Sequence, residues 1–129
     1  MNIKEVVKEL RKYPDNMDVY FQKQDPLKIF GCVFNVSLTT HPIFNYPCIL
    51  LHDGDEELKL PYHGISRAKS RATIGTLIIY LESLARFIGD EIDVMTKPIE
   101  NKNFVTISEI ESYSYTFFGK EIPCILLIE

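Results

Sequence analysis

The segments NYPCILLHD (residues 45–53) and EIPCILLIE (residues 121–129) share five residues, PCILL. Each copy is a short, continuous apolar run, which reads as a strand buried on both faces near the middle of a sheet. A leading proline suits the first residue of a strand, where no ladder N–H is needed. Each Ile or Leu in such a run contributes about 1.5–3 kcal/mol on full burial. That the chain holds two such runs, one in each half, is the fact from which the rest is read.

The residues upstream of the two copies follow one plan. In the first half Ile3, Val6, Val7, Leu10 and Tyr13 have helical spacing. Tyr13-Pro14-Asp15-Asn16 ends that helix, because proline disfavours helical geometry in the residue before it. Met17-Asp18-Val19-Tyr20-Phe21 then reads as a strand. In the second half Leu77, Tyr80, Leu81, Leu84 and Phe87 repeat the spacing, Gly89 stops the helix, and Ile92-Asp93-Val94-Met95 matches Met17-Asp18-Val19-Tyr20. Polar turns with Pro26 and Pro98 follow. Next come strands at Phe30–Leu38 and around Phe104–Ile110, and PCILL closes each half. In the first of these strands Phe30, Cys32, Phe34, Val36 and Leu38 alternate with Gly31, Val33, Asn35 and Ser37, so the first set is expected to face the core.

The expected fold is therefore α+β. It is a tandem duplication of a helix-strand-strand-strand unit, with antiparallel sheets packed against two helices and a pseudo-two-fold relating the halves. Repeat 1 spans about 1–53, a connection about 54–72 and repeat 2 about 73–129, in one domain. Helix 1 has a charged outer face in Lys4, Glu5, Lys8, Glu9, Arg11 and Lys12. Helix 2 opens Ile74-Gly75-Thr76-Leu77-Ile78-Ile79-Tyr80-Leu81, apolar nearly all round. It is expected either at the centre of the fold or in an interface between two copies.

The bulk numbers exclude some functions. The chain has 129 residues, enough for one real core, with 46% apolar and 25% charged residues. A net charge of −4 argues against an extended nucleic-acid surface or a coat on an anionic membrane, and leaves room for a local basic site. Met1-Asn2-Ile3-Lys4-Glu5 leads straight into a charged amphipathic stretch, so no signal peptide is expected, and no apolar run here is long enough to span a membrane. Cys32, Cys48 and Cys124 are odd in number, lack metal spacing and sit among apolar residues. They read as buried free thiols in a reducing, cytoplasmic compartment.

Duplicated parts read as scaffold, so function is sought in what occurs once. The connection HDGDEELKLPYHGISRAKSRA, residues 52–72, opens on a turn at Asp53-Gly54-Asp55, with a short edge strand expected at Leu58–Pro61. It ends in Tyr62, His63, Ser66, Arg67, Lys69, Ser70 and Arg71. Three cations here precede or form the first turn of helix 2, whose N-cap is Ser66, Ser70 or Thr73. The N-terminal end of a helix disfavours cations unless an anion sits among them. Backbone N–H groups, the cations and the two serine hydroxyls make a phosphate or carboxylate site, on which Tyr62 or His63 can stack a ring. The competing reading is a solvated basic linker.

Glu109 and Glu111 lie in a second unmatched stretch. On an unbroken strand they share a face with Val105, Ile107 and Tyr113, which invites an acid/base reading. A bulge or break near Glu109 instead turns Ile110 inward and both acids outward, and is the simpler account. His52, Asp53, Asp55 and Glu56 are explained by a turn, without metal spacing. The sequence has no phosphate-binding glycine loop, nucleophile elbow or Cys/His catalytic pair. It implies no catalytic residues, metal or cofactor.

The opening, IKEVVKELRKYPDNMDVYF, resembles the start of many small phage, prophage and bacterial proteins, through Lys4-Glu5, Leu10, Pro14, Asn16 and Val19. The resemblance covers about the first twenty residues and implies a mobile-element or accessory cytoplasmic protein. The expected function is a non-enzymatic binding protein that engages a host protein or an anionic ligand, phosphate- or nucleotide-like, through residues 62–71. The alternatives are an assembly protein that self-associates as a homodimer through helix 2, and a small enzyme using Glu109, Glu111 or His63.

Overall fold

The computed structural model describes residues 1–22, 30–53, 72–96 and 104–129. Helix α1 spans Ile3–Leu10 and helix α2 spans Ile74–Ile88. Asn2 caps α1 in a capping box: its side chain accepts the Glu5 N–H at 2.9 Å, and Glu5 accepts the Asn2 N–H at 3.1 Å. Of the three caps open for α2, Thr73 takes the place, accepting the Thr76 N–H at 3.3 Å. Ile3, Val6 and Leu10 of α1 are buried, as are Ile74, Leu77 and Leu81 of α2 at the same spacing.

The described residues also form seven strands: β1 Asp18–Gln22, β2 Phe30–Thr40, β3 Pro47–Asp53, β4 Val94–Thr96, β5 Val105–Thr106, β6 Glu109–Phe117 and β7 Lys120–Ile128. Their order is β5-β4-β3-β2-β1-β7-β6. Strand β2 serves two four-stranded sheets, pairing with β1 through Phe30–Cys32 and with β3 from Val33 onward. At the far ends of the order, β5 and β6 are separated in the chain only by Ile107-Ser108. The strands therefore curl round until the two edges become neighbours.

The fold is α+β as expected, but the sheets are mixed rather than antiparallel. Each PCILL strand pairs in parallel with the first strand of the other half: β3 with β4, and β7 with β1. The expectation of antiparallel sheets did not take the connections between the strands into account. A strand that leaves through a long connection containing a helix returns parallel, and β4 reaches β3 by such a crossover through α2. The pairings are Ile49 with Val94, Leu50 with Met95 and Leu51 with Thr96, and Ile125 with Val19, Leu126 with Tyr20 and Leu127 with Phe21.

Both runs are buried on both faces. Ile49, Leu51, Ile125 and Leu127 join the helices in the main core, while Cys48, Leu50, Cys124 and Leu126 are buried on the opposite face. Pro47 opens β3 as expected. Pro123 instead lies inside β7, at a point where β6 is the only neighbour because β1 pairs from Cys124 onward.

The first turn of each helix is satisfied by the turn that follows the other helix. The Ile3 and Lys4 N–H groups donate to the carbonyls of Ile92 and Asp90; those of Ile74 and Gly75 donate to Met17 and Asp15. The backbones come close here: a Cβ on Gly75 would stand 3.2 Å from the Asp15 Cβ.

The alternation expected for β2 does not hold along its length. The register shifts between Val33 and Asn35. Val33 is fully buried and Val36 packs on the core, whereas Leu38 is 46% exposed. A bulge adds one residue, so inward positions fall three apart rather than two. Ile107 and Ile110 are likewise both buried across the break between β5 and β6. The Val33 carbonyl accepts the Ala72 N–H at 2.8 Å, and the Ile107 carbonyl accepts the N-terminal ammonium of Met1 at 2.9 Å. Among the described residues no helix is long and apolar enough to cross a membrane.

Candidate functional site

The connection residues Tyr62, His63, Ser66, Arg67, Lys69, Ser70 and Arg71 lie outside the described residues, as do Asp55, Glu56, the edge strand expected at Leu58–Pro61, and Pro26 and Pro98. The acid/base reading of the second stretch loses its geometry. Glu109 and Glu111 are exposed and Ile110 is buried, because β5 ends before Ile107 and β6 begins at Glu109. His52 is half-buried, with its Nε2 2.8 Å from the Ser37 hydroxyl. Among the described residues no three His, Cys, Asp or Glu side chains are grouped to hold a metal ion.

All three cysteines are free; Cys48 and Cys124 are buried, and Cys32 is half-buried. Burial, and then the carboxylate of Asp93, raise the pKa of Cys48; burial and then Asp18 raise that of Cys124. A raised thiol pKa disfavours the nucleophilic thiolate, so these are packing residues.

Two features were not read from the sequence. The first is the turn after β2. His41 is buried, its Nδ1 accepts the N–H groups of Ile43 and Phe44, each at 3.2 Å, and its ring lies against Phe44, Tyr46 and Phe104. This histidine shapes a tight turn, which Asn45 completes with φ 56°.

The second is a groove of about 620 Å³ between α1 and α2, lined by Ile3, Lys4, Val7, Lys8 and Arg11 on one side and Glu82, Ala85, Arg86, Gly89 and Asp90 on the other. Its floor is apolar, from Ile3, Val7 and Ala85. Its walls carry four cations against two carboxylates, in a chain whose net charge is −4. Arg11 pairs with Glu82 across the groove. Lys4, Lys8 and Arg86 make no ion pair among the described residues. Lys4 also stands in the first turn of α1, at the positive end of the helix dipole. The sequence showed these side chains as the solvated face of an amphipathic helix. Lys4, Lys8 and Arg11 do fall on one helical stripe, but the wall carrying Arg86 is known only once α2 is placed.

Helix α2 is not enclosed. Ile74, Leu77, Ile78 and Leu81 reach the core, while Ile79, Tyr80 and Phe87 are 63%, 49% and 89% exposed. Central packing therefore holds for one face of the helix only, since α2 forms an outer layer over the strands. Comparison with known proteins finds no matching family, no matching curated protein and no matching solved structure.

Proposed function

We propose that the chain is a non-enzymatic binding protein that engages an anionic partner, and that the α1–α2 groove is part of its binding surface. The observation that carries this reading is the surplus of cations, three of them without an ion pair among the described residues, over an apolar floor in an otherwise acidic chain. Lys and Arg donors of this kind suit carboxylate or phosphate groups. The single-copy basic connection, Arg67, Lys69 and Arg71, is proposed as a second source of cations for the same partner. Given the opening's resemblance to small phage proteins, that partner is proposed to be a host protein in the cytoplasm.

The test is retention on immobilised heparin, a generic polyanion, at low ionic strength. The wild type is expected to be retained. Lys4→Glu with Lys8→Glu is expected to abolish retention while leaving the circular dichroism spectrum unchanged. Arg67→Glu with Arg71→Glu tests the connection in the same assay. Passage of the wild type through the column, or retention indifferent to both pairs, defeats the proposal.

We read the scaffold as a tandem duplication with a pseudo-two-fold. Support comes from the matching steps in the two parallel pairings, from the reciprocal bonds between each helix start and the turn after the other helix, and from the register shift of β2 standing where β5 and β6 are broken apart. A second functional reading rests on α2. The exposed Ile79, Tyr80 and Phe87 favour self-association with a second copy, since large exposed apolar patches mark interfaces. Light scattering across a range of concentrations decides this, and a monomer throughout removes it.

A further inference from the structure

We infer that the groove between α1 and α2 takes a carboxylate-bearing peptide segment, with Glu82 as the built-in competitor that such a segment displaces from Arg11. The inference rests on the groove reading above and deepens it. Glu82 is the one acidic side chain in the groove that is engaged with a groove cation, so the structure already holds a carboxylate on the Arg11 guanidinium. The group that occupies the cation is a sample of the group the cation accepts. Arg offers a planar fork of N–H donors that matches a carboxylate.

The pair is also easily exchanged. The Arg11 and Glu82 side chains are 57% and 45% exposed. Solvent-exposed ion pairs are weak, because water and salt screen them. A partner carboxylate arriving at Arg11 therefore meets little resistance. Its neighbours along the same segment meet Lys4 and Lys8, which follow the same helical stripe as Arg11. The apolar floor at Val7 and Ala85 selects a peptide that carries apolar side chains between its acids. The two helices also differ at equivalent places: Arg11 and Glu82 each directly follow the last buried leucine of their stripe, Leu10 and Leu81. Opposite charges at corresponding positions let the two walls pair across the groove.

The experiment is a nitrogen–proton NMR titration of the full chain with an acetylated peptide of alternating glutamate and leucine, alongside the same peptide with glutamine for glutamate and, separately, pyrophosphate. The acidic peptide is expected to shift the backbone signals of Lys4, Val7, Lys8, Arg11 and Gly89, and the glutamine peptide is not. Glu82→Gln is expected to tighten binding about two- to fivefold, the range set by the strength of an exposed ion pair. In an Arg11→Ala background the same change should bring no gain, because a competitor acts only through the residue it competes for. An equal gain without Arg11, or none with it, overturns the role of Glu82. The groove reading survives that result as long as Lys4→Glu with Lys8→Glu still weakens binding. Tighter binding of pyrophosphate than of the peptide overturns the carboxylate assignment. Shifts that miss the groove overturn both readings.

Discussion

At the scale of single residues, Gly89 does what no other residue can. Its backbone, with φ 86° and ψ 165°, lies in a region open essentially to glycine alone, and it ends α2 at the edge of the groove. Nothing lies within 4 Å of where a Cβ would be, so a substitution there meets strain and no clash. Gly89→Ala is expected to lower the unfolding free energy by about 1–3 kcal/mol in chemical denaturation, at an unchanged m-value. The buried thiols give a second prediction. Burial first, then the facing carboxylates, hold Cys48 and Cys124 above the ordinary thiol value of about 9. In the unfolded chain they ionise near that value, so above it the unfolded state binds fewer protons than the native state, and stability falls as pH rises. Below it their contribution is fully present. Denaturation midpoints measured from neutral pH upward should decline above about pH 9, and Cys48→Ala with Cys124→Ala should make the decline shallower. Tyr46, raised by burial and then by Asp93 and Cys48, extends the decline above about pH 10. Much at this scale was legible: the glycine stop and the outward glutamates each follow from local chemistry, and Thr73 was one of three caps the sequence left open. The Arg11–Glu82 pair was not, because it joins residues that only tertiary packing brings together.

At the scale of elements, the helices and the PCILL strands were legible because their apolar periods are long and regular. Strand β2 was misread for a physical reason. Alternation assigns faces only while the register is continuous, and one inserted residue exchanges the faces beyond it. The bulge at Val33–Asn35 does so, and leaves no apolar signature of its own. The consequence is measurable. Val33→Ala removes methyl groups from a fully buried site and is expected to cost about 1–3 kcal/mol. Leu38→Ala, on the side chain that alternation placed inside, is expected to change stability by less than about 0.5 kcal/mol. Leu38 pairs with Ile49 on the same face as Val36, so its exposure marks the end of the covered part of β2, and equal costs at the two positions would mean that Leu38 is buried in solution. The parallel pairings were missed for a related reason: strand direction depends on what connects the strands, and apolar patterning reports burial only.

At the scale of the whole molecule, the proposed duplication can be tested through the ends of the two halves. The chain passes from Asp53 at the end of β3 to Ala72 through residues 54–71, and Ala72 then bonds the bulge carbonyl of Val33. Met1 stands to the Ile107 carbonyl as Ala72 does to that of Val33, and Glu129 follows β7 where Asp53 ends β3. In a duplicated scaffold, a copy of residues 54–71 joining Glu129 to Met1 should therefore fit as the natural connection does. A circular permutant with that second copy, opened within the original residues 54–71, tests this directly. Loop closure changes slowly with length, so moving the opening alters the chain entropy by only about 1 kcal/mol. The permutant is expected to fold with an amide spectrum that overlays the parent's at α1, α2 and both PCILL strands. It should also keep a single cooperative unfolding transition. A permutant that folds only in part, or unfolds in two steps, would show that β7 and β3 do not occupy equivalent places, and would reduce the shared PCILL to two similar strands in unlike surroundings. The same molecule separates scaffold from site. With Arg67, Lys69 and Arg71 changed to glutamate in the second copy, opening the original connection leaves no unbroken basic segment; anion retention should then persist if the α1–α2 groove carries it, and be lost if that segment is required.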